Sequence, residues 1–315
     1  MTATAVDRQV RSLRPPKSYV DPYKAHGSLL EEERRPDGRI ERALTVFLAG
    51  AECPFTCSFC DLWRWTIDGP TPPGALTKQL RTVIQALDGS QLDRLKLYNA
   101  SNFFDRRAVP PEDLEGIAKL ASPFASVTVE SHVNTIGAPT LEFARQISGR
   151  LEVAIGLETI HPVARAHINK HLDLARFDQT AGFLLANGID LRVFVLLGAP
   201  YVRAEESVDW TVRTVEYAAE RGASAVSIIP VRGGNGEIDR LQALGHFDPP
   251  TLAQLEEALD GCSRITSAVV TADIWDVERL PACEQCKPER IERLRRLNVT
   301  GRAEPRIACG SCGAA

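Results

Sequence analysis

The chain has 315 residues, of which 44% are hydrophobic and 25% are charged, and this balance is ordinary for a soluble globular protein. Its net charge of −4 excludes an overall positive potential that would attract nucleic acid. No apolar stretch approaches the roughly 20 residues that span a bilayer. Residues 1–14 lack the apolar segment of a secretory signal. We therefore expect a cytoplasmic protein without a membrane partner, in which one large domain carries a small appendix.

The first 40 residues are polar and interrupted by prolines, which disfavours long regular elements. They predict an extended N-terminal arm over residues 1–40, with one short helix at residues 28–35. We expect this arm to cover one end of the folded core.

A buried strand and a cluster of cysteines follow. Residues 44–48 form an apolar run with β-branched members, which predicts a strand. Cys53, Cys57 and Cys60 come next, at the spacing Cys-x3-Cys-x2-Cys. Four thiolates would close a tetrahedral zinc site, whereas three leave one position open and suit an iron–sulfur cluster whose unique iron binds another ligand. A partial zinc knuckle or three unrelated buried cysteines are the alternatives, and the lack of a fourth ligand nearby argues against zinc.

This motif, with Phe59 directly before its last cysteine, resembles the signature of radical S-adenosylmethionine (SAM) enzymes. The resemblance covers roughly residues 40–230 and implies that the three cysteines hold a [4Fe-4S] cluster. It also implies that SAM binds the open iron and that Phe59 contacts the cofactor. One electron from the cluster then cleaves SAM into methionine and a 5′-deoxyadenosyl radical, and a flavodoxin or ferredoxin is the implied electron donor.

Strands and helices alternate along the rest of the chain. Predicted strands occupy residues 92–98, 126–130, 151–157, 191–197 and 225–230, and predicted helices occupy 76–87, 111–120, 140–147, 176–187 and 205–221. With the first strand, this rhythm indicates a parallel sheet whose functional residues gather at the carboxyl ends of the strands. The resemblance adds the shape, an α/β fold with a partial (β/α)6 TIM-like barrel that is open on one side. We expect three domains: the arm (1–40), the barrel (41–265) and a small cysteine-rich extension (266–315).

Residues at the strand ends are the candidate SAM contacts. Asn99 and Ser101 follow the second strand, where radical SAM enzymes carry a Gly-Gly-Glu-like stretch that meets the SAM amino group, and this sequence departs from that pattern. The adjacent Phe-Phe-Asp at residues 103–105 resembles the archaeosine-synthase-type branch. Glu130 ends the third strand and is a candidate for SAM or substrate contact. The nearby His132 is expected to be a hydrogen-bonded structural residue.

The later strand ends complete this set of candidates. The Gly-Leu-Glu-Thr stretch around Glu158 resembles elongator, methylthiotransferase and archaeosine-type enzymes, in which the acidic residue binds the SAM ribose hydroxyls. The resemblance also implies that Lys170 pairs with the SAM carboxylate. It implies that Gly198, which has no side chain, lets the backbone approach the adenine closely. A glycine-rich turn at residues 231–236 is a weak candidate for cradling a phosphate or SAM.

The chain ends in a second group of cysteines, after a predicted helix at residues 252–265 and a predicted strand at residues 268–274. Two Cys-x2-Cys pairs, Cys283/Cys286 and Cys309/Cys312, are separated by 22 residues. Four thiolates fit a zinc ribbon, and they equally fit a [4Fe-4S] cluster held wholly by the protein. Because radical SAM enzymes often carry an auxiliary cluster, the resemblance favours a second [4Fe-4S] cluster. The lone Cys262 is expected to be a core residue.

The leading hypothesis is a radical SAM enzyme that abstracts hydrogen from a polar small molecule, with a nucleoside or a natural product as the candidate substrate. An auxiliary cluster would assist by electron transfer, substrate binding or sulfur donation. No residue is singled out as an acid or base. One alternative is an RNA-modifying radical SAM enzyme with a C-terminal zinc ribbon, and the basic segment at residues 287–296 favours it. The other alternative is a non-catalytic metal-binding interaction protein.

Overall fold

Eight strands form one curled sheet in the order in which they occur along the chain, in a computed structural model that describes residues 4–87, 91–265 and 267–313. Seven consecutive strands, β2 to β8, pair in parallel, and β1 pairs antiparallel with β2. The strands are β1 (Gly27–Arg34), β2 (Ile40–Phe47), β3 (Arg94–Tyr98), β4 (Ser126–Glu130), β5 (Arg150–Glu158), β6 (Asp190–Leu197), β7 (Ala225–Pro230) and β8 (Val269–Ala272).

Ten helices accompany the strands in the described residues: eight lie between consecutive parallel strands, as the alternating pattern predicts, one precedes β1 and one follows β8. They are α1 (Ala5–Ser12), α2 (Ala75–Gln85), α3 (Pro111–Ala121), α4 (Ala138–Gln146), α5 (Pro162–His167), α6 (Leu174–Ala186), α7 (Ser207–Glu220), α8 (Glu237–Ala243), α9 (Leu252–Gly261) and α10 (Lys287–Thr300). Local signals set several ends. Thr251 and Gln254 form a capping box at the start of α9, and Gly188, with φ of 69°, follows the end of α6. Among the described helices, none is both long and apolar enough to cross a membrane.

The predicted α/β partial barrel is therefore confirmed, including its six core strands and the further strand near residue 270. The predicted helix at residues 28–35 is wrong, because this segment is β1 and pairs with β2 from Gly27↔Phe47 to Arg34↔Ile40. Residues 5–12 are helical rather than extended, and Thr4 with Asp7 caps that helix. The division into three domains stays a prediction, although β1 and β8 belong to the same sheet as the barrel strands.

The two faces of the sheet differ in character. Leu95 and Leu97 of β3 are fully buried in the apolar core, which also includes Leu76 and Leu80 of α2. The alternate residues of β3, among them Lys96, carry polar groups on the other face. A hydrophobic layer thus joins the sheet to its helices, while a polar inner face surrounds the lumen of the half-barrel.

A buried charge layer fills this lumen near the amino ends of the strands; it comprises Glu33, Arg94, Glu152 and Arg192. The carboxylate of Glu152 accepts hydrogen bonds from Arg94 at 3.0 Å and Arg192 at 2.8 Å. Arg192 also pairs at 2.8 Å with Glu33 of β1, so the layer joins the antiparallel strand to β6. Burial opposes ionisation of Glu152, but Arg192 and Arg94 lower its pKa to about 2. The layer therefore closes the lumen with fixed, paired charges.

Candidate functional site

The loop that carries Cys53, Cys57 and Cys60 follows β2 at the carboxyl edge of the sheet. Its start is fixed by side chains of the following helix and loop. Gln79 of α2 accepts from the backbone N–H of Ala49 and donates to its carbonyl, both at 2.9 Å. The Thr71 hydroxyl accepts from the backbone N–H of Ala51 at 2.8 Å. The strand and its first helix thus hold the base of the loop.

The middle of the loop is held by residues distant in sequence. The Asn169 amide donates to the Thr56 hydroxyl at 2.8 Å and to Asp7 of α1 at 3.0 Å. The Thr56 hydroxyl also donates to Asp7 at 2.5 Å, and this hydrogen bond lowers the pKa of the Asp7 carboxyl well below its usual range. The N-terminal helix therefore docks on the cysteine loop, which the sequence did not indicate.

The glycine-rich turn supports the last part of the loop. The Asn235 side chain donates to the carbonyls of Ser58 at 2.9 Å and Cys60 at 3.2 Å. Two backbone N–H groups of the turn, those of Gly234 and Gly236, donate to Asp239. The turn thus serves as a brace for the cysteine loop, and these two N–H groups are already engaged rather than offered to a phosphate.

The three loop cysteines are half-buried. Burial raises the pKa of Cys57 to about 12 and raises the pKa values of Cys53 and Cys60 as well. The Asn102 amide donates to the Cys53 sulfur at 3.3 Å. A cation such as an iron centre stabilises the thiolate form that burial disfavours, so this donor set suits a soft metal cluster.

The tip of β3 faces this loop with unpaired polar groups. Asn99 is fully buried, yet neither its amide nitrogen nor its amide oxygen has a partner among the described residues, and the same holds for the Ser101 hydroxyl. Buried polar atoms are normally hydrogen-bonded, so such an orphaned cluster indicates a bound polar ligand. Asn102, next along the chain, contacts Cys53. The two residues predicted to meet SAM are therefore placed beside the cysteine loop with free hydrogen-bonding capacity.

Glu130 shapes this tip. Its carboxylate accepts from the backbone N–H groups of Asn99 at 2.9 Å and Ala100 at 3.0 Å. These bonds fix Ala100 in the left-handed conformation, with φ of 53°. Burial raises the pKa of Glu130 to about 7, and the backbone hydrogen bonds offset only part of that rise. Glu130, predicted as a SAM or substrate contact, is thus positioned as the anchor of the β3 tip.

Glu158 and Lys170 form an ion pair of 2.5 Å at the end of β5. Glu158 is buried and adopts φ of 68°, and 14% of the Lys170 side chain is exposed. Burial lowers the pKa of Lys170, but the Glu158 carboxylate outweighs this effect and the net pKa is raised. The ammonium also lies 5.9 Å from the centre of the Phe59 ring. Three predicted cofactor contacts therefore meet beside the cysteine loop.

Gly156 provides the space for this ion pair. A Cβ atom at this position would lie 2.0 Å from a Glu158 carboxylate oxygen and 2.6 Å from the Lys170 nitrogen. We expect Gly156→Ala to separate the pair and to lower the free energy of unfolding by about 1–3 kcal/mol, because overpacking strains a filled site. Chemical denaturation measures this change.

The matched control is Gly182→Ala in α6, where an added Cβ meets nothing within 4 Å. An alanine inside a helix should stabilise the chain by about 0.5–1 kcal/mol. Equal effects of the two substitutions would contradict the role of Gly156.

Two other predicted residues are engaged within the chain. The Gly198 N–H donates to the Ser207 hydroxyl at 2.8 Å, and a Cβ there would lie 2.9 Å from Pro250. The absence of a side chain at Gly198 thus accommodates Pro250, and contact with adenine stays a prediction. His132 accepts from the Asn134 N–H and approaches the Lys170 carbonyl at 3.2 Å, while burial lowers its pKa to about 3. It has the structural role expected from the sequence.

An aromatic wall lines the lumen between the charge layer and the cysteine loop; it consists of Phe47, Tyr98 and Phe194. The ring centres of Phe47 and Tyr98 are 6.4 Å apart, and those of Tyr98 and Phe194 are 6.3 Å apart. The exposed Trp275 lies 5.4 Å from Phe47. All three wall residues are half-buried, so their rings remain accessible within the lumen.

The C-terminal cysteines Cys283, Cys286, Cys309 and Cys312 converge in a second group. Their sulfur atoms all lie within 4.8 Å of one another. Backbone N–H groups of Cys312 and Ser311 lower the pKa of Cys309 to about 7, which favours its thiolate. This group can therefore hold a metal, as the sequence predicts.

The basic segment before the final pair becomes α10, and several of its arginines are paired within the chain. Arg290 and Arg293 are buried and contact Glu256 at 2.6 and 3.4 Å. Arg296 pairs with Glu304 at 2.9 Å. The local positive charge that favoured RNA binding is thus largely neutralised by neighbouring carboxylates.

Comparison with known proteins identifies the fold. No protein-family model matches the chain, and no curated protein sequence matches it. A radical SAM methyltransferase from Sphaerobacter thermophilus is similar at 14% identity, with a TM-score of 0.51 over 90% of this chain and 85% of that chain. SuiB from Streptococcus suis matches at 14% identity and a TM-score of 0.51, over 75% of this chain and 48% of SuiB.

The Elp3 protein of the archaeon Methanocaldococcus infernus matches at 12% identity, with a TM-score of 0.50 over 70% of this chain and 59% of that chain. This chain thus spans about half of the length of SuiB and somewhat more of Elp3. At such low identities the likeness establishes the fold, which is the half-barrel of radical SAM enzymes.

Proposed function

We propose that this chain, which has the half-barrel fold of radical SAM enzymes, is itself a radical SAM enzyme. The observation that carries the proposal is the placement of the orphaned side chains of Asn99 and Ser101 beside the cysteine loop. A [4Fe-4S] cluster on Cys53, Cys57 and Cys60 would, with bound SAM, supply a 5′-deoxyadenosyl radical that abstracts a hydrogen atom. A flavodoxin or ferredoxin would donate the electron, and the reaction would take place in the cytoplasm.

The residues around the loop divide the binding of SAM among them. Asn99 and Ser101 offer both donors and acceptors to its polar amino-acid end. Lys170 offers an ammonium to its carboxylate, and Glu158 accepts hydrogen bonds from its ribose hydroxyls. The Phe59 ring lies beneath the Lys170 ammonium and would contact the cofactor beside it, and Gly198 would contribute a close backbone approach near the adenine.

The aromatic wall would hold the substrate in the lumen. Its three rings offer flat apolar faces, and Ser227 and Thr271 add hydroxyl groups on β7 and β8. Such a lining suits a small molecule with a planar ring and polar substituents, of which nucleosides and aromatic natural products are examples. The charge layer below closes the lumen, which excludes bulk water from a reactive radical.

RNA modification is the second candidate function. The ion pairs of the α10 arginines with glutamates argue against it. Phosphate contacts depend on basic side chains that are free to release counterions. A non-catalytic metal-binding protein is the third candidate. It provides no reason for buried, unpaired Asn99 and Ser101 groups beside the cysteines.

SAM binding tests the proposal. We expect Lys170→Met to weaken binding of SAM by about 10- to 100-fold, because a hydrogen bond to a charged group contributes about 1.5–3 kcal/mol. Equilibrium dialysis with SAM, at equal iron content and without reductant, measures the change. Lys119→Met, which removes an exposed ammonium paired with Glu115, is the control and should leave affinity unchanged. Equal affinity of the Lys170 variant and the wild type would contradict this role.

A further inference from the structure

The spacing of the C-terminal sulfur atoms distinguishes between the two metal sites that the sequence allows. All four lie within 4.8 Å of one another, and the sulfurs of Cys286 and Cys312 are 3.9 Å apart. A tetrahedral zinc ion with bonds of about 2.3 Å places its thiolates about 3.8 Å apart. The observed distance of the Cys286–Cys312 pair agrees with that value.

A [4Fe-4S] cluster requires a wider arrangement. Each of its four thiolates binds a different iron. The sulfur atoms of the four cysteines are therefore separated by the distance between two irons in addition to the two iron–sulfur bonds, and they lie farther apart than around a single ion. Four sulfurs as close as those of the C-terminal group leave space for one ion rather than for a cube of four irons and four sulfides.

The loop cysteines provide a comparison within the same chain. Cys53, Cys57 and Cys60 do not form a metal-ligand group of this close spacing in the part of the chain that the structure describes. The two cysteine sets therefore differ both in number and in spacing. The set of three suits a cluster with an open iron, and the compact set of four suits a closed single-ion site.

The surroundings of the compact set are those of a structural site. Cys283 and Cys286 directly precede α10, and Cys309 and Cys312 lie in the tail beyond it. Arg293 donates to the Glu304 carbonyl at 2.7 Å, and Arg306 pairs with Asp260 of α9 at 3.0 Å. These contacts hold the segment after α10 against α9 and α10, so that its two cysteines lie near the start of α10 beside Cys283 and Cys286. A metal there closes the tail into a fixed loop.

We propose that Cys283, Cys286, Cys309 and Cys312 bind one zinc ion as a closed structural tetrathiolate site. This replaces the auxiliary [4Fe-4S] cluster that the sequence favours. The tail then neither relays electrons nor donates sulfur, and the substrate binds without an iron in the tail. Cys53, Cys57 and Cys60 remain the iron site. The inference does not rest on the proposed enzymatic reaction.

Metal analysis of the full chain tests this assignment. The protein is purified anaerobically, reconstituted with iron and sulfide, and desalted. We expect one zinc and about four irons per wild-type chain. A Cys286→Ser/Cys312→Ser variant should lose the zinc and retain the iron. About eight irons without zinc, or loss of iron rather than zinc in the variant, would overturn the assignment.

X-ray absorption at the zinc edge of the wild-type protein provides a second test that needs no variant to fold. We expect four sulfur neighbours at about 2.3 Å. Nitrogen or oxygen neighbours would indicate adventitious zinc only and would overturn the proposal. Neither measurement involves SAM, so failure of the proposed reaction would leave both results unchanged.

Discussion

Replacing Cys57 with alanine should remove about four irons per chain and reduce formation of 5′-deoxyadenosine to the background of a protein-free mixture. Two thiolates remain in the loop of the variant, and a site-differentiated [4Fe-4S] cluster needs three from the protein. The loop itself should persist, because its backbone is held by Gln79, Asn169 and Asn235 rather than by the sulfur. Iron analysis and chromatography of the SAM products measure both effects after anaerobic reconstitution.

Cys262→Ala is the matched control for this experiment. Cys262 lies just beyond α9 in the apolar core and belongs to neither cysteine group. Its substitution should leave iron content and SAM cleavage at wild-type levels. A Cys57 variant that retained full iron and full SAM cleavage would exclude the loop as the cluster site.

Glu152→Gln should lower the free energy of unfolding by about 3–5 kcal/mol, because it removes one partner of a buried ion cluster. Glutamine keeps the volume of the side chain but leaves Arg94 and Arg192 without the carboxylate they share. Urea denaturation measures the change. Glu115→Gln is the control, since Glu115 pairs with Lys119 on the exposed surface of α3 and its loss should cost at most about 0.5 kcal/mol.

The same carboxylate contributes to the pH dependence of stability. Its pKa is about 2 in the folded chain and about 4.3 in an unfolded one, so its contribution is complete above the unfolded value. That contribution is lost as the pH falls from about 4 to about 2. The wild type should therefore lose more stability across this window than Glu152→Gln, and parallel curves for the two proteins would contradict the assigned ionisation.

The sequence predicts the barrel well because its strands are apolar runs separated by helical segments. It fails for β1, whose charged stretch contains Glu31 and Glu33 and resembles an exposed helix. These carboxylates instead face Lys96 and Arg192 across the lumen, at 2.9 and 2.8 Å. Partners contributed by β3 and β6 decide this conformation, so a local pattern cannot reveal it.

The residues of the candidate site could also be predicted in part from the sequence, as the strands of the barrel could. The cysteines, Asn99, Ser101, Glu158 and Lys170 come from the motif and its resemblance, and the fold places them at one edge of the sheet. The bracing by Asp7 and Asn235 depends on contacts across more than 150 residues, which spacing along the chain does not encode. Likewise, the Cys-x2-Cys pairs indicate four ligands, and only their positions in space distinguish one ion from a cluster.

A zinc site in the tail would narrow the chemistry of the proposed enzyme. An auxiliary cluster would then be absent as a source of sulfur and as an electron acceptor. This favours redox-neutral reactions such as rearrangement, in which the substrate radical loses no second electron. The substrate would be held by the aromatic wall and its neighbouring hydroxyl groups. Substitutions in that wall would then affect consumption of the substrate more than cleavage of SAM.

The most direct test of the proposed function is the incubation of anaerobically reconstituted wild-type protein with SAM and dithionite. Iron, sulfide and zinc are quantified in the same sample, so that the state of both metal sites is known. We expect 5′-deoxyadenosine and methionine in equal amounts, in a sample that contains about four irons per chain. A sample with that iron content, folded and able to bind SAM, that formed no 5′-deoxyadenosine would contradict the assignment as a radical SAM enzyme.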